Sequence, residues 1–388
     1  MKEVYFDNNA TTQIAPEVAE AIQPFLTTEY GNPSSMHNIG GRIKKHIDKA
    51  REQVAALINA DPDEILFTSC GTESNNTALR GTLLAQPGKR HILTSKVEHP
   101  AVLEVATYLG TRGARVTQLF VDSDGLLNLD DVREAITDET AIVSVMWANN
   151  ETGVIFPIQE IAEICAEKGV VFHTDAVQAV GKIPIDVKKT PVNMLSLSGH
   201  KLHTPKGIGA LYIRKKTPLK PFMLGGHQER GRRAGTENVP FIVGLGVAAD
   251  EAAKYMDDEN TRVRALRDKL ENALMKTCPD ARRNGHKELR LPNTSNISFE
   301  FIEGEAILLL MDAEGIAASS GSACTSGSLE PSHVIRALGV PFTAVHGSTR
   351  FSLSRYNTED EVDYVIEKVP PIVEKLRKMS PFVGGDVY

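Results

Sequence analysis

Apolar residues Ile43, Ile47, Ala50, Val54 and Leu57 recur every three or four positions, the stripe of an amphipathic helix, until "DPDE" breaks the pattern ahead of the short apolar run "ILFTS". From there the two periods alternate. "HILTS", "ARVTQLFV", "AIVSVMW", "VVFHT", "MLSLS" and "GALYIR" are short apolar runs and predict mostly buried strands, and amphipathic stretches 101–109, 128–136 and 158–168 fall between the first four of them. This alternation predicts an α/β fold, a mostly parallel sheet with helices on both faces, whose ligand lies beyond the carboxyl ends of the strands. After about residue 257 the texture changes to a long charged helix, a strand "NISFEF", a helix "GEAILLLMDAEG", a Ser/Gly-rich loop and a strand "STRFSLSRY". Thr358 and Glu361 then form a capping box that opens a last helix. The chain after about residue 257 is therefore expected to form a second, smaller α+β domain.

Composition narrows the class without naming it. With 388 residues, 41% hydrophobic and 24% charged, the chain has the length for about two or three domains and the balance of a soluble globular protein. "MKEVYFDNNATTQ" lacks the apolar core of a signal peptide and no long apolar run follows, so a cytoplasmic protein is expected, with no membrane partner. A net charge of −7 argues against a nucleic-acid partner. The local exception, Arg230, Arg232 and Arg233 in "ERGRR", reads as a solvated loop, with an anion or subunit contact as the alternative. Cys70, Cys165, Cys278 and Cys324 show neither CxxC nor paired Cys/His spacing, so free thiols are expected, with no zinc site and no disulfide framework. Cys165, at helical spacing with Ile158, Ile161 and Ala162, and Cys278, after a long amphipathic helix, are most simply small core or surface residues. Cys70 and Cys324 remain as candidates for chemistry.

Three strand ends carry unusual side chains. In "TSCGTESNN" the backbone N–H groups at Gly71 and Thr72 open a helix, where phosphate is attracted, although simple capping gives the same pattern. In "HTDAVQA", Asp175 ends an apolar strand and Gln178 follows three residues later; a carboxylate there calls for a cationic partner. In "SLSGHKL", Lys201 follows a strand and a glycine, with Ser198 and His200 beside it; a lysine on a solvated turn is the plain alternative. Phosphate cradle, buried acid and strand-end amine are together the parts of a pyridoxal phosphate site, in which lysine forms the Schiff base and the acid keeps the pyridine nitrogen protonated. His99 in "VEHPAV", also at a strand end, suits a ring lying over the cofactor and moving protons, or a structural histidine.

The pieces "DNNATT", "YGNPSSMH", "TSCGTESNN", "VEHPAV", "ANNETGV", "HTDAVQAVGK", "SGHKLHTPKG", "GRRAGTEN", "SSGSACTSGSLEPSHV" and "STRFSLSR", in this order, make essentially the whole chain resemble a cysteine desulfurase of the NifS/IscS type, a fold-type I pyridoxal-phosphate enzyme. "VSVMWANNETG", "GGHQERGRRAGTEN" and "EFIEGEAILLL" resemble the nitrogen-fixation branch more than the housekeeping one. The resemblance implies a large domain over 16–257 with a seven-stranded sheet, and a small domain of 1–15 with 258–388. It implies a homodimer acting on L-cysteine and handing sulfur to an iron–sulfur scaffold protein.

The same resemblance implies roles. Lys201 would hold the cofactor and move protons, Asp175 would pair with the pyridinium, Gln178 would meet the phenolic oxygen, and His99 would act over the ring. Gly71, Thr72, Ser198 and His200 would bind phosphate, with Thr236 reaching across from the other subunit. Asn150 and Arg350 would grip the substrate, Arg350 its α-carboxylate, with Asn32 nearby and Arg355 as the lesser alternative. Cys324 would be the thiolate that takes sulfur, and Gly321 and Gly327 with small serines give its loop the freedom to carry it outward. Cys70, within the phosphate turn, is assigned to packing. The ending "SPFVGGDVY" departs from the longer tail of the housekeeping enzymes, which leaves the acceptor open, a nitrogen-fixation-type scaffold being expected. A lyase acting on selenocysteine, and a sulfur-carrying protein with a vestigial site, are the competing readings.

Overall fold

The structure is a computed structural model that describes residues 2–320 and 331–380. Strand β1 (Val4–Tyr5) precedes helices α1 (Pro16–Thr27) and α2 (Asn38–Leu57). The central sheet then follows, with β2 (Ile65–Thr68), β3 (His91–Ser95), β4 (Arg115–Leu119), β5 (Thr140–Ser144), β6 (Val171–Asp175), β7 (Met194–Ser198) and β8 (Gly209–Ile213) in the spatial order β2-β8-β7-β6-β5-β3-β4. Helices α3 (Gly71–Ala85), α4 (Pro100–Thr111), α5 (Leu129–Ala135) and α6 (Ile158–Glu167) connect them, and α7 (Val239–Lys254) comes after. β4, β3, β5, β6 and β7 are parallel, while β8 runs antiparallel to both β7 and β2. Residues 199–208 supply only one short helical turn between β7 and β8, too little for the crossover that a parallel return needs.

The strands read as continuous apolar runs because both faces are covered. Leu93, Val143, Phe172 and Leu195 face one cluster with Val18, Ile43, Val54 and Leu245 of α1, α2 and α7. Their neighbours Ile92, Ile142, Val171 and Met194 face another with Ala78, Leu79, Val102 and Val105 of α3 and α4. One expectation fails here. "ARVTQLFV" forms β4 at the sheet edge, where only Leu119 is buried and Arg115 is exposed, since a strand with one neighbour need not be apolar on both sides.

β9 (Ala281–Arg283), β10 (Thr294–Phe299) and β12 (Ser348–Ser352) form an antiparallel sheet in the order β12-β10-β9, while β11 (Ile316–Ala317) pairs in parallel with β1. A third core gathers Val4 and Phe6 with apolar residues between Val263 and Val373, so the first strand packs with the last third of the chain. The boundary is not clean in sequence: Val334, Ile335 and Leu338 pack on the large sheet's core instead.

This smaller body also buries a charge network. Glu271, almost inaccessible, accepts from Arg290 through both oxygens, from Ser295 Oγ at 2.8 Å and from Arg283 at 3.3 Å. Removing the acid leaves the buried Arg290 guanidinium with only the more distant Asp268, at 3.8 Å, so E271A is expected to lower stability by about 3 kcal/mol, read as a falling midpoint in thermal and urea unfolding. No described helix is long and apolar enough to cross a membrane.

Candidate active site

A cavity of about 410 Å³ opens beyond the carboxyl ends of β6 and β7, where the β7–β8 turn, the start of α3, the start of α4 and the segment after β1 meet. Gly71, Thr72, His99, Asn150, Asp175, Gln178, Ser198, His200, Lys201 and Arg350 all line it, so most of the residues picked out by motif are brought together from six separate stretches of chain.

Each is held by local structure. Cys70 caps α3 in an extended conformation, and a Cβ on Gly71 would come within 2.7 Å of Val177 Cγ2, so only glycine lets the helix start this close to β6. Asp175, the last residue of β6 and 6% exposed, accepts from Asn75 Nδ2 at 2.6 Å and from the Val177 amide at 3.0 Å. Lys201 closes a single 3₁₀ turn, Gly199–Lys201, directly after β7. Its Nζ donates to the carbonyls of Asn9 at 2.6 Å and Ala10 at 2.7 Å, and Gln178 Nε2 donates to the same Asn9 carbonyl at 3.0 Å. Asn9 thus anchors the amine and the amide alike.

His99 caps α4, its Nδ1 accepting the Ala101 N–H at 3.0 Å, so neutral His99 carries its proton on Nε2. Burial holds its pKa below the ordinary imidazole value, Asp175 opposing this and Lys201 and His333 adding to it. Burial likewise takes His200 down to about 4, leaving a neutral ring beside Thr11 Oγ1. Arg350 lies in β12, 2% exposed, donating to Asp7 Oδ1 at 2.8 Å and to the Asn150 carbonyl at 3.0 Å. Three buried oxygens among the lining residues, Asn75 Oδ1, Gln178 Oε1 and Ser198 Oγ, have no hydrogen-bond partner among the described residues. Buried polar atoms are ordinarily satisfied, so this cavity is shaped for a polar ligand.

Other candidates lie elsewhere. Asn32 and Thr236 are exposed and do not line the cavity of the single chain; Asn32 accepts from the Ser34 amide. Arg355 stacks on Tyr255 and Tyr356 at 4.6 and 5.1 Å from their ring centres, away from the cavity. Cys324, with Gly321 and Gly327, lies outside the described residues. The flanks of that stretch are described: Ser319 exchanges both backbone bonds with Arg350, and Ser332 donates to Glu151 Oε2 at 2.5 Å. "ERGRR" is not the solvated loop expected. Arg230 pairs with Asp63, Arg233 with Glu73 in the first turn of α3, and Glu229 with Arg51, because folding brings carboxylates from two other segments onto it. Cys165 and Cys278 are buried in packing, burial pushing the former thiol up to about 12 and the latter upward. Cys70, half-buried, lines the cavity.

Sequence reasoning missed Asn9, Ala10, Asn75 and Asp7. Two of these act through backbone carbonyls, which carry no side-chain signature. Asn75 was legible in principle, one helical turn after Gly71 and so on the same face of α3.

The sequence profile of the class-V aminotransferases matches residues 4–365. A cysteine desulfurase of a Nostoc species is 59% identical over 386 residues, covering 100% of this chain and 96% of that protein. Cysteine desulfurase NifS of Azotobacter vinelandii is 57% identical over 387 residues, with 100% and 96% covered. Among solved structures a NifS-like protein superposes with a TM-score of 0.91 at 40% identity, covering 97% of this chain and 100% of that one. Sheet order, cavity and full-length similarity agree, and the chain belongs to the class-V aminotransferase family, within it to the cysteine desulfurases of the NifS type.

Proposed function

We propose that this enzyme removes sulfur from L-cysteine with pyridoxal phosphate, leaving alanine and a persulfide on Cys324. The observation that carries the reading is the convergence of Lys201, Asp175, Gln178 and the amino end of α3 on one cavity whose buried oxygens lack partners among the described residues.

The residues fit the cofactor. Gly71 and Thr72 N–H groups, with Ser198 Oγ and His200, offer a phosphate site at the end of a 15-residue helix. Asp175, oriented by two donors, offers a buried carboxylate to a protonated ring nitrogen, and Gln178 offers its amide to the phenolic oxygen. When bound, pyridoxal phosphate supplies an electron sink for the bond changes at the substrate's α and β carbons. Arg350 and Asn150 hold the substrate carboxylate, and Asp7 keeps the guanidinium in place. Lys201, held at the cavity wall, takes and returns the α proton. His99 Nε2–H is placed as a donor, since its Nδ1 is engaged by Ala101. The Cys324 thiolate attacks the substrate sulfur: the carbon–sulfur bond breaks, a sulfur–sulfur bond forms, and the carbon gains a proton.

In this reading the enzyme is a cytoplasmic homodimer. Thr236 of a second copy completes the phosphate site, which accounts for its exposure here alongside Asn32 and the exposed side chains of Tyr30, Met36 and Leu224. Residues 1–15 and 258–388 act as a small domain against a large domain of 16–257, and an iron–sulfur scaffold protein takes the sulfur.

The test is peptide mass spectrometry after incubation with L-cysteine and no reductant. One added sulfur on the Cys324 peptide, with alanine released, is expected, and C324A should release no sulfide. A changed cofactor spectrum with Cys324 unmodified, or sustained turnover by C324A, would overturn the assignment.

A further inference from the structure

His333 stands outside the cavity, yet it is tied to the residue that does the work inside it. Its Nε2 lies 2.9 Å from the carbonyl oxygen of Glu98. A carbonyl only accepts, so Nε2 carries the hydrogen and His333 donates. That carbonyl belongs to the peptide joining Glu98 to His99. The same Glu98 is held by its side chain: fully buried, its Oε1 accepts Ser95 Oγ at 2.6 Å and the Met146 amide at 3.0 Å. Glu98 is thus fixed from the last residue of β3, from the chain leaving β5, and by His333. His99 hangs from the end of this clamp, its ring committed by the Ala101 N–H.

His333 is itself set in place. Ser332 caps the short helix His333–Ala337, accepting the amides of Val334 and Ile335 and donating to buried Glu151, next in sequence to Asn150 of the cavity wall. Val334 and Ile335, fully buried against the large core, fix the helix axis.

We propose that His333 is a positioning residue for His99, aiming its ring into the cavity through the hydrogen bond to the Glu98 carbonyl. This rests on the function proposed above for His99. The groups facing His99 are Asp175, which favours its charged form, and Lys201 and His333, which disfavour it, with His200 also in range. His333 therefore acts on His99 in two ways, by position through its N–H and by charge whenever it is protonated, and near-isosteric substitutions separate them.

H333Q keeps a donor without the charge, and H333M keeps the size without either. In the full-length holoenzyme labelled with ¹³C-histidine, the His99 ring signal, assigned by its loss in H99Q, is followed together with steady-state kinetics. H333M is expected to displace the His99 signal and lower kcat about tenfold with KM within about twofold, whereas H333Q retains the signal position and kcat within about threefold. Equal behaviour of H333M and H333Q in both readouts would overturn the positioning role, as would a loss in H333M confined to thermal stability. The His99 signal does not depend on which reaction the enzyme catalyses, so failure of the desulfurase reading would appear in the persulfide experiment and not in this one.

Discussion

K201A is expected to lower alanine formation from L-cysteine by about four orders of magnitude or more, the largest effect of any single substitution in this chain. The amine is set at the end of β7 by a 3₁₀ turn and held by the carbonyls of Asn9 and Ala10. These two neutral carbonyls orient the amine, which suits the role proposed for it. The substitution removes the bonds to those two carbonyls, so the unfolding midpoint of K201A is measured beside its activity. The decisive check is separate from turnover. After incubation with pyridoxal phosphate and borohydride reduction, the parent protein should gain the cofactor's mass on the Lys201 peptide and K201A should gain none. Covalent labelling of K201A at another lysine, with activity retained, would remove Lys201 from its role.

D175N is expected to lower kcat by about two to three orders of magnitude. Asp175 is buried, and both of its recorded partners, Asn75 Nδ2 and the Val177 amide, are donors. Two neutral donors orient the carboxylate but do not cancel its charge, which is the arrangement that favours a cation on a ligand. An amide in its place loses the charge and must also point its NH₂ at one of two donors, so orientation suffers with electrostatics. The readouts are kcat and the pH at which the bound cofactor's visible spectrum changes, both of which should move. A D175N enzyme with parental spectrum and rate would show that this carboxylate serves only to pin α3 to β6 through Asn75.

The parallel sheet was legible because both of its faces are covered, so strands such as "HILTS" and "MLSLS" are buried at every position, carry few charges and stood out from the amphipathic helices between them. The edge strand β4 was misjudged for the same reason: burial is set by neighbours, and a run of "RVTQL" does not say how many it will have. Lys201, Asp175, Gln178 and Gly71 were legible as chemistry because each sits at a strand end where an ordinary loop would not need it. "ERGRR" was misread because its partners, Asp63, Glu73 and, for Glu229, Arg51, lie 167, 160 and 178 positions away along the chain.

What the sequence determined by itself was the set of local periods, the turns that end each strand, and the types of side chain at those ends, all consequences of interactions within a few residues. What the tertiary structure alone decided was which of those ends share a cavity. Asn9 beneath Lys201 and Gln178, Asp7 against Arg350, and His333 on the Glu98 carbonyl join positions 192, 343 and 235 residues apart. Hydrogen bonds of that span act through backbone carbonyls and buried charges whose partners are fixed by tertiary packing and not by any local pattern, so they exist only once the chain has folded.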